Sequence, residues 1–433
     1  MTPGKQEGGH DMSIALGCIA DDFTGASDLA AILARSGHKV GLRIGVPADD
    51  DDSTPSAFEV IALKCRTEPV DEAIGLTGKA AEWLLARGAS QLYWKYCSTF
   101  DSTPAGNIGP VSEALMARLG AQQTIYCPAF PENGRSIYMG NLFVGDVPLD
   151  ESPMRDHPLT PMRDANLMRL LAPQVAGKVG HIAWPDIAKG GAHIAGRLQV
   201  LAGNGIAHVV PDAISQADLS AICEAVQDFA LITGGSALAL DLPRLLAAKG
   251  CIEPGGADIT APATSGGNIV LSGSCSAMTR AQVAAYSTSA ASHRLDPLAL
   301  ADGPDALATA RQWLASRDPD AAKIIYATAE PADVAAAQQK LGRETAGQLV
   351  EDALAVLAGD AFDLGIRRFV VAGGETSGAV TQALATDRLS VGREIAPGVP
   401  WCFAARKGET FAIALKSGNF GTEDFFSRAL AML

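Results

Sequence analysis

The sequence predicts an α/β protein of two domains, each with a mostly parallel sheet flanked by helices. Short apolar runs of β-type residues alternate with amphipathic helical patterns along most of the chain. This alternation favours parallel strands that are covered by helices on both faces. The chain has 433 residues, more than one ordinary domain needs. A stretch without hydrophobic period near residue 260 separates two such alternating regions.

The first region covers residues 13–250 and is predicted to bind the substrate. It opens with a β-run, Ser13–Ala20, after which Leu29, Ile32 and Leu33 recur at the spacing of one helix face. The later β-runs are again followed by helical patterns. They are Lys39–Ile44, Val60–Leu63, Gln91–Tyr96, Gln123–Cys127, Val179–Ala183, Ala207–Val210 and Ala230–Thr233.

One segment, from Pro128 to Asn166, interrupts this alternation. It is rich in Pro, Asp, Arg and Asn and has no long periodic pattern, so we predict a long polar loop that carries Arg155. Loops of this length inside a compact domain are usually functional, with an ordinary surface loop as the alternative.

The second region begins after residues 251–267, whose Gly-rich and Pro-containing composition predicts an interdomain linker. Residues 268–433 form the second predicted domain, and residues 1–12 read as a disordered extension. The β-runs of the second domain are Ile269–Ser272, Lys323–Ala327, Arg368–Ala372, Trp401–Ala404 and Phe411–Leu415, and its helical patterns are Ala306–Leu314, Ala332–Leu341 and Thr345–Leu357.

Composition excludes several classes of protein. With 48% hydrophobic and 19% charged residues the chain can fill a core, and its net charge of −14 makes it a poor partner for nucleic acid or an anionic membrane. Its apolar stretches are too short to cross a membrane. The eight cysteines include no CxxC pair, which favours a reduced cytoplasmic protein without a zinc site. The sequence is compatible with a homo-oligomer but does not fix the oligomeric state.

Two groups of polar residues follow β-runs of the first region. Asp21 and Asp22 end one run, where a carboxylate can accept a hydroxyl proton or hold a cation, or simply cap the next helix. Lys64, Arg66 and Lys95 follow two other runs, and three cations at neighbouring strand ends would suit a small carboxylate ligand. The alternative for the segment after Lys95, which also holds an acid and an amide, is a solvated turn.

Three glycine-bearing turns follow β-runs of the second region. They are Leu271–Ser276, Ala372–Gly378 and Lys416–Gly421. Glycine lets phosphate oxygens approach the backbone, and a helix that starts directly after the turn presents free N–H groups. Turns of this kind also occur for packing alone, and Thr233–Ser236 is a similar turn in the first region. The sequence has no GxxxxGK[ST], GxGxxG, HExxH or GxSxG motif.

Taken together, these motifs resemble the four-carbon acid sugar kinase family over residues 13–433. The resemblance rests on IADDFTGASD (19–28), KYCSTFDSTPAGNIGP (95–110), CPAFPENGR (127–135), ESPMRDHPLTPMRDANL (151–167), SGSCSAMT (272–279), AGGETSGAV (372–380) and LKSGNFG (415–421). Pro104 and Ala105 replace the Leu-Arg pair that is typical of tetronate kinases. With this difference and the block MRDHPLTPMRDANL (154–167), the sequence resembles the branch of the family that phosphorylates the 4-hydroxyl of 3-oxo-tetronate. D-threonate or D-erythronate 4-kinase is the alternative, and a non-catalytic small-acid-binding protein is a distant one.

The resemblance implies ATP and Mg²⁺ as cofactors, a small acid sugar as substrate, and an active site in the cleft between the domains. ATP would bind at Ser272 or Ser274, Gly373, Gly374, Glu375, Thr376 and Gly418. The acid sugar would bind among Asp22, Lys64, Arg66, Lys95, Asp101, Asn107 and Arg155. We expect Asp22, or alternatively Asp21, to accept the hydroxyl proton, although either could position Mg²⁺ instead. The metal ligands are not assigned.

Overall fold

The computed structural model describes residues 14–48, 53–156, 160–255 and 262–433. The predicted extension, residues 1–12, lies outside the described residues, as does the middle of the predicted linker. The strands are β1 (Leu16–Ala20), β2 (Val40–Ile44), β3 (Phe58–Ala62), β4 (Leu92–Lys95), β5 (Thr124–Cys127), β6 (Arg135–Tyr138), β7 (Asn141–Val144), β8 (Val147–Pro148), β9 (Val179–Ile182), β10 (His208–Pro211), β11 (Leu231–Gly234), β12 (Gly267–Ser272), β13 (Ala291–Arg294), β14 (Lys323–Tyr326), β15 (Ile366–Ala372), β16 (Arg388–Ala396), β17 (Val399–Arg406) and β18 (Glu409–Lys416).

The helices are α1 (Phe23–Ala34), α2 (Val70–Ala86), α3 (Ile108–Leu119), α4 (Leu167–Leu171), α5 (Trp184–Ile187), α6 (Gly191–Gly203), α7 (Gln216–Val226), α8 (Leu242–Ala248), α9 (Ala277–Ser287), α10 (Pro297–Ala301), α11 (Asp305–Ala315), α12 (Pro331–Leu341), α13 (Arg343–Asp363), α14 (Gly374–Ala383) and α15 (Phe425–Ala431). None of those in the described ranges is long and apolar enough to cross a membrane.

The first half of the chain contributes a parallel sheet in the order β2-β3-β1-β4-β11-β5-β10-β9. Its central strands are fully buried because their side chains are apolar on both faces, and β1 with the sequence LGCIA is an example. Connecting helices such as α1 and α2 supply the covering layers. The predicted α/β class is confirmed.

The second half contributes the order β13-β14-β12-β15-β18-β17-β16. The first five of these strands are parallel, and β18, β17 and β16 form an antiparallel meander. The carboxyl ends of β12, β14, β15 and β18 therefore meet at one edge, which is where ligands bind in open sheets of this kind.

The two halves share one continuous sheet of 15 strands, because β16 pairs antiparallel with β2. Buried charges reinforce this junction. Arg43 Nε donates to Glu59 Oε2 at 2.7 Å, and Arg388 Nη2 donates to Glu59 Oε1 at 3.1 Å. Glu59 is fully buried, so these guanidinium groups supply the positive charge that it needs. At the C-terminal end of α1, Arg35 contacts Glu394 of β16 at 2.9 Å.

The segment 128–166 is not the long irregular loop that we predicted. It contains a small antiparallel sheet, β6-β7-β8, and three short 3₁₀ helices. Met139 and Gly140 form the two-residue turn between β6 and β7, and both have positive φ, as a type I′ turn requires. Their N–H groups donate to Asp212 at 2.7 and 2.8 Å. The prediction was wrong because strands of four, four and two residues show no detectable period.

Candidate active site

Parallel pairing collects the polar groups of the first half at one sheet edge. Strand β1 lies between β3 and β4 with Ala20 opposite Ala62 and Lys95. Asp21 and Asp22 follow β1, Lys64 and Arg66 follow β3, and Lys95 ends β4. Side chains that are far apart in sequence thus become neighbours, as the strand ends led us to expect.

Arg66 is the centre of this group. Its Nε and Nη2 atoms donate to the two oxygens of Asp21, both at 2.8 Å, and Nη2 also lies 2.8 Å from Asp22 Oδ1. The fork geometry is the strong bidentate form of an arginine–carboxylate pair. Arg66 already pairs with the carboxylates of Asp21 and Asp22, so these two groups largely neutralise its charge.

The two adjacent carboxyl groups differ in environment. Burial raises the pKa of Asp21, and the Arg66 guanidinium offsets this effect only in part. Burial also acts on Asp22, but Arg66 and Lys95 together outweigh it, so the pKa of Asp22 lies below its usual value. The side chain of Asp21 is 3% exposed and that of Asp22 is 23% exposed. Asp22 is thus the more accessible member of the pair, and the one with the lowered pKa.

Asp22 also caps helix α1. It accepts a hydrogen bond from Gly25 N at 2.8 Å and one from Thr24 Oγ1 at 2.9 Å. A side chain at position 25 would collide with the Asp22 carboxylate, and its Cβ would lie 2.9 Å from Lys95 Nζ. Glycine at this position therefore lets the lysine approach the helix start. Capping and a functional role are compatible here.

Lys95 is buried, and its Nζ donates to Tyr96 O at 2.9 Å. A further acid on α1, Asp28, lies in the electrostatic field of this lysine. Ser236 Oγ donates to Asp28 Oδ2, whereas the buried Oδ1 has no hydrogen-bond partner among the described residues. Burial raises the pKa of Asp28 to about 6, although Lys95 and Ser236 oppose the shift. Asp28 was missed by sequence reasoning, although it closes the IADDFTGASD motif.

Asn107 supports the loop that carries Arg66. Its Nδ2 donates to the carbonyl oxygens of Cys65 at 2.7 Å and of Arg66 at 3.2 Å. The Asn107 side chain therefore fixes the backbone conformation of the loop that carries Arg66. Asn107 thus reaches the predicted site through the Arg66 loop, and its role in binding the substrate stays a prediction.

The segment after β4 contains Asp101 in a strained loop. Asp101 is buried and accepts a hydrogen bond from Thr99 Oγ1 at 2.6 Å. The preceding Phe100 has φ of +51°, an unusual conformation for a non-glycine residue, and its ring packs edge-on against Tyr96. Such strain persists where the surroundings dictate it, and it is frequent at functional sites.

Arg155 makes no contact with this group of residues in the part of the chain that the structure describes. It is exposed on a 3₁₀ helix, Pro153–Asp156, and within the described ranges its side chain has no hydrogen bond or ion pair with the other predicted site residues. The structure does not bring it together with the carboxylate pair.

A cavity of about 620 Å³ opens at the carboxyl ends of β12, β14, β15 and β18. Its volume is in the range of small-molecule sites. Among the residues that line it are six that the sequence predicted for nucleotide binding: Ser274, Gly373, Gly374, Glu375, Thr376 and Gly418. Ser272 is fully buried, pairs with Thr328 Oγ1 at 2.7 Å and lies behind the cavity wall.

The glycine turns pack too closely for side chains. A Cβ on Gly273 would collide with Thr376 Oγ1, and one on Gly418 would lie 2.8 Å from Ser274 Oγ. Gly373 has φ of +125°, which disfavours any other residue. The three turns therefore form one compact cradle of backbone.

Helix α14 starts in this cradle. Its N-cap, Gly373, provides no side-chain hydrogen bond, so N–H groups of the first turn remain available to a ligand. The helix dipole adds positive potential at this point. The combination is a ready-made site for phosphate.

The opposite wall of the cavity is largely apolar. It is formed by α10, α12 and α13 through residues that include Leu298, Val334, Ala337, Ala346 and Val350. Arg294 and Asp333 form an ion pair of 3.0 Å at its margin. An apolar wall opposite a backbone cradle suits a molecule with a flat ring at one end and phosphates at the other.

The two groups of residues meet where α1 and α14 start. A Cβ on Gly374 would lie 3.7 Å from Thr24 Oγ1, and one on Gly378 would lie 2.8 Å from the Phe23 ring. Lys64 Nζ from the first half contacts Glu375 Oε2 at 2.7 Å. The nucleotide-type cradle and the carboxylate pair are thus adjacent.

Glu351 completes this contact between the halves. Its Oε2 lies 4.0 Å from Lys64 Nζ, and it lines the cavity. Partial burial raises the pKa of Glu351, and the nearby charge of Glu375 adds to the effect. Partial burial would lower the pKa of Lys64, but the hydrogen bond and charge of Glu375 outweigh it and raise the pKa. Sequence reasoning missed both Glu351, which stands in an ordinary helical pattern, and Thr24.

Comparisons with known proteins agree with this division of the chain. Residues 16–242 match the model of a sugar-binding N-terminal domain, and residues 269–426 match that of a nucleotide-binding C-terminal domain. A curated protein of Burkholderia multivorans named 3-oxo-tetronate kinase is 49% identical over 96% of this chain and 97% of its own length. One of Haemophilus influenzae with the same name is 44% identical over 96% and 99%.

Solved structures have the same fold over almost the whole chain. A Salmonella typhimurium protein superposes with a TM-score of 0.85 at 41% identity and covers 97% of this chain and 99% of its own. The Haemophilus influenzae protein HI1011 gives a TM-score of 0.76 at 44% identity over 96% and 99%. Both domain models and the full-length relatives point the same way: the chain belongs to the four-carbon acid sugar kinase family.

Proposed function

We propose that this protein is a 3-oxo-tetronate kinase that transfers the γ-phosphoryl group of ATP to the 4-hydroxyl of its substrate, giving 3-oxo-tetronate 4-phosphate and ADP. The full-length relatives with this name support the reaction class. The observation that carries the proposal is the contact between the starts of α1 and α14, which sets Thr24 beside Gly374. A hydroxyl held near Asp22 would face a phosphate held on the glycine cradle.

Asp22 is the group that we assign to the hydroxyl proton. The new bond forms between the substrate O4 and the γ-phosphorus while the bond to the bridging oxygen of ADP breaks, and the proton passes to the Asp22 carboxylate. Its lowered pKa keeps it ionised and able to accept. Asp21 is less suited because it is buried and both of its oxygens bind Arg66. Phosphoryl transfer asks chiefly for positioning and charge stabilisation.

The substrate carboxylate requires positive charge, which Lys64 and Lys95 can supply. Lys64 is the accessible cation, with 54% of its side chain exposed, and its partner Glu375 stands in the nucleotide cradle. Lys95 lies behind Gly25 and contributes from a buried position. Arg66 and Asn107 act indirectly. Arg66 holds the carboxylate pair, and Asn107 holds the loop that carries Arg66. We propose that the acid sugar binds between these groups, in the cleft between the halves.

The nucleotide would lie with its phosphates on the turns at Ser274, Gly373, Gly374 and Gly418 and its base against the apolar wall. Glu351 and Glu375 are the carboxylates of the cavity that would hold Mg²⁺, whose ordinary ligands are one or two carboxylates together with phosphate oxygens. When bound, Mg²⁺ neutralises phosphate charge. Nowhere in the described part of the chain, this cavity included, do three His, Cys, Asp or Glu side chains cluster as a metal site built from protein ligands alone would need.

All eight cysteines are free thiols, most of them buried. Unpaired cysteines are usual in reducing compartments, so we propose a cytoplasmic enzyme.

A side-by-side assay tests the proposed substrate. Purified protein with Mg-ATP is offered 3-oxo-tetronate, D-threonate and D-erythronate, and ADP release is measured with each. We expect the highest kcat/KM with the 3-oxo acid. Higher kcat/KM with either reduced acid would assign the alternative D-threonate or D-erythronate 4-kinase, and binding without ADP release for all three would leave only a binding protein.

A further inference from the structure

One buried lysine next to the glycine cradle has no place in the mechanism above. Lys416, the last residue of β18, is fully buried, and its Nζ donates to Ser417 O at 2.9 Å, Gly418 O at 2.8 Å and Thr279 Oγ1 at 3.1 Å. An ammonium has three donors, so this set uses all of them. Every acceptor is an uncharged oxygen.

We infer that the Lys416 ammonium is a positioning group for the nucleotide phosphates, a role that rests on the proposed function. The carbonyl oxygens of Ser417 and Gly418 both point towards Lys416. In a planar trans peptide the N–H points away from the C=O. The N–H groups of Gly418 and Asn419 therefore point away from the lysine, and Gly418 lines the cavity.

Helix α9 also holds this turn, on the same side as Lys416. Thr279 Oγ1 donates to Gly418 O at 2.7 Å, and Gln282 Nε2 donates to Phe420 O at 3.0 Å. Within the described ranges neither Gly418 N nor Asn419 N donates to a protein acceptor. The turn is thus fixed in a shape that presents donors and leaves them unused.

The buried charge of Lys416 is a second indication that an anion binds next to this turn. A buried cation is costly unless a counter-charge compensates it, and burial lowers the pKa of Lys416 to about 7. Phosphate groups bound to the N–H groups of Gly418 and Asn419 would supply that counter-charge. The peptide groups of the turn would then lie between the phosphates and the Lys416 ammonium. Lys416 also anchors the second turn, since its own carbonyl oxygen accepts from Gly373 N at 2.9 Å.

The sequence offers a matched control, Lys323. It is buried at the start of β14, and its Nζ donates to Asn268 O at 3.0 Å and Pro319 O at 2.6 Å. Burial lowers its pKa to about 8. It stands at the amino end of a parallel strand, whereas the cavity lies at the carboxyl ends, so it shares burial with Lys416 but not the glycine turns.

The experiment compares the full-length wild type with Lys416→Met and Lys323→Met. Calorimetry gives the affinities for ATP and for adenosine, and steady-state kinetics give KM for ATP and for the acid sugar. We expect Lys416→Met to weaken ATP binding at least about tenfold, the scale of a lost charge-assisted contact, with adenosine affinity and the KM of the acid sugar within about twofold. Lys323→Met is expected to keep all of these values.

An equal loss of ATP and adenosine affinity in Lys416→Met, or no loss of either, would overturn the inference. Should this variant not fold, Thr279→Val replaces it, because it removes one acceptor of the lysine and one donor to Gly418. We then expect ATP affinity alone to fall about threefold, and unchanged ATP affinity would again overturn the inference. If the wild type itself bound no ATP, the proposed function would fail, which separates the two results.

Discussion

Asp22→Asn separates proton acceptance from structure. Asn remains a good N-cap, so the hydrogen bond from Gly25 N to position 22 survives. Arg66 keeps its bidentate partner Asp21. We therefore expect the free energy of unfolding to fall by no more than about 1 kcal/mol. The substitution removes the charge that would accept a proton, and with it the ion pair between Asp22 and Arg66.

The kinetic effect is expected to be much larger. Loss of a proton acceptor typically costs about 10²-fold or more in turnover. This corresponds to roughly 2.7 kcal/mol in the activation barrier. ATP affinity, measured by calorimetry, is expected to stay within about twofold because Asp22 belongs to the other half of the site. The assay is the steady-state release of ADP with the 3-oxo acid at saturating substrate.

Asp21→Asn is the matched control. It removes the counter-charge that holds both donor atoms of Arg66 in a buried site, so we expect about 3 kcal/mol lower stability. A kcat of Asp22→Asn within about threefold of wild type would refute the assigned role. A Tm loss in Asp22→Asn as large as in Asp21→Asn would show that the Asp22 charge chiefly stabilises the fold through Arg66 and Lys95.

Three further predictions concern the junction, a buried acid and the cradle. Glu59→Gln removes the charge beside Arg43 and Arg388, so the free energy of unfolding measured in urea should fall by about 3 kcal/mol. A fall below about 0.5 kcal/mol would contradict the importance of these buried charges. The pKa of Asp28 rises from 3.8 to about 6 on folding, so its ionisation destabilises the fold as the pH rises through that value. Asp28→Asn should therefore exceed the wild-type Tm near pH 8, with the gap closing below about pH 4, and a pH-independent gap would speak against this titration. Gly374→Val adds bulk to the cavity wall beside Thr24 and should raise KM for ATP at least about tenfold, and unaltered calorimetric ATP affinity would remove Gly374 from the phosphate site.

The interior strands were predictable from the sequence, because burial on both faces leaves an apolar run. The prediction for Ser13–Ala20 contains β1, and Lys39–Ile44 contains β2. Strands β13 and β16 gave no such signal. The sequence of β13, ASHR, is polar and half-exposed, and β16 contains two arginines and a glutamate. Such strands depend on partners from elsewhere in the chain, and their pairing is invisible in local periodicity.

The candidate site was predictable to a similar extent. Strand ends pointed to Asp22, Lys64 and Lys95, and glycine turns pointed to Gly373 and Gly418, because both signals are local. The sequence could not show that Arg66 binds both carboxylates or that Lys64 contacts Glu375, since these contacts join distant segments. Nor could it distinguish Asp21 from Asp22, whose difference comes from burial.

The pairing of β16 with β2 makes the two halves hard to separate. A fragment cut between them would expose one long strand edge on each piece, with unsatisfied N–H and C=O groups ready to recruit other chains. The cut would also separate Arg388 from Glu59, which would keep only Arg43 as a partner of this cluster. Expression of either half alone is therefore expected to yield aggregates, and the kinase fold is best regarded as a single cooperative body.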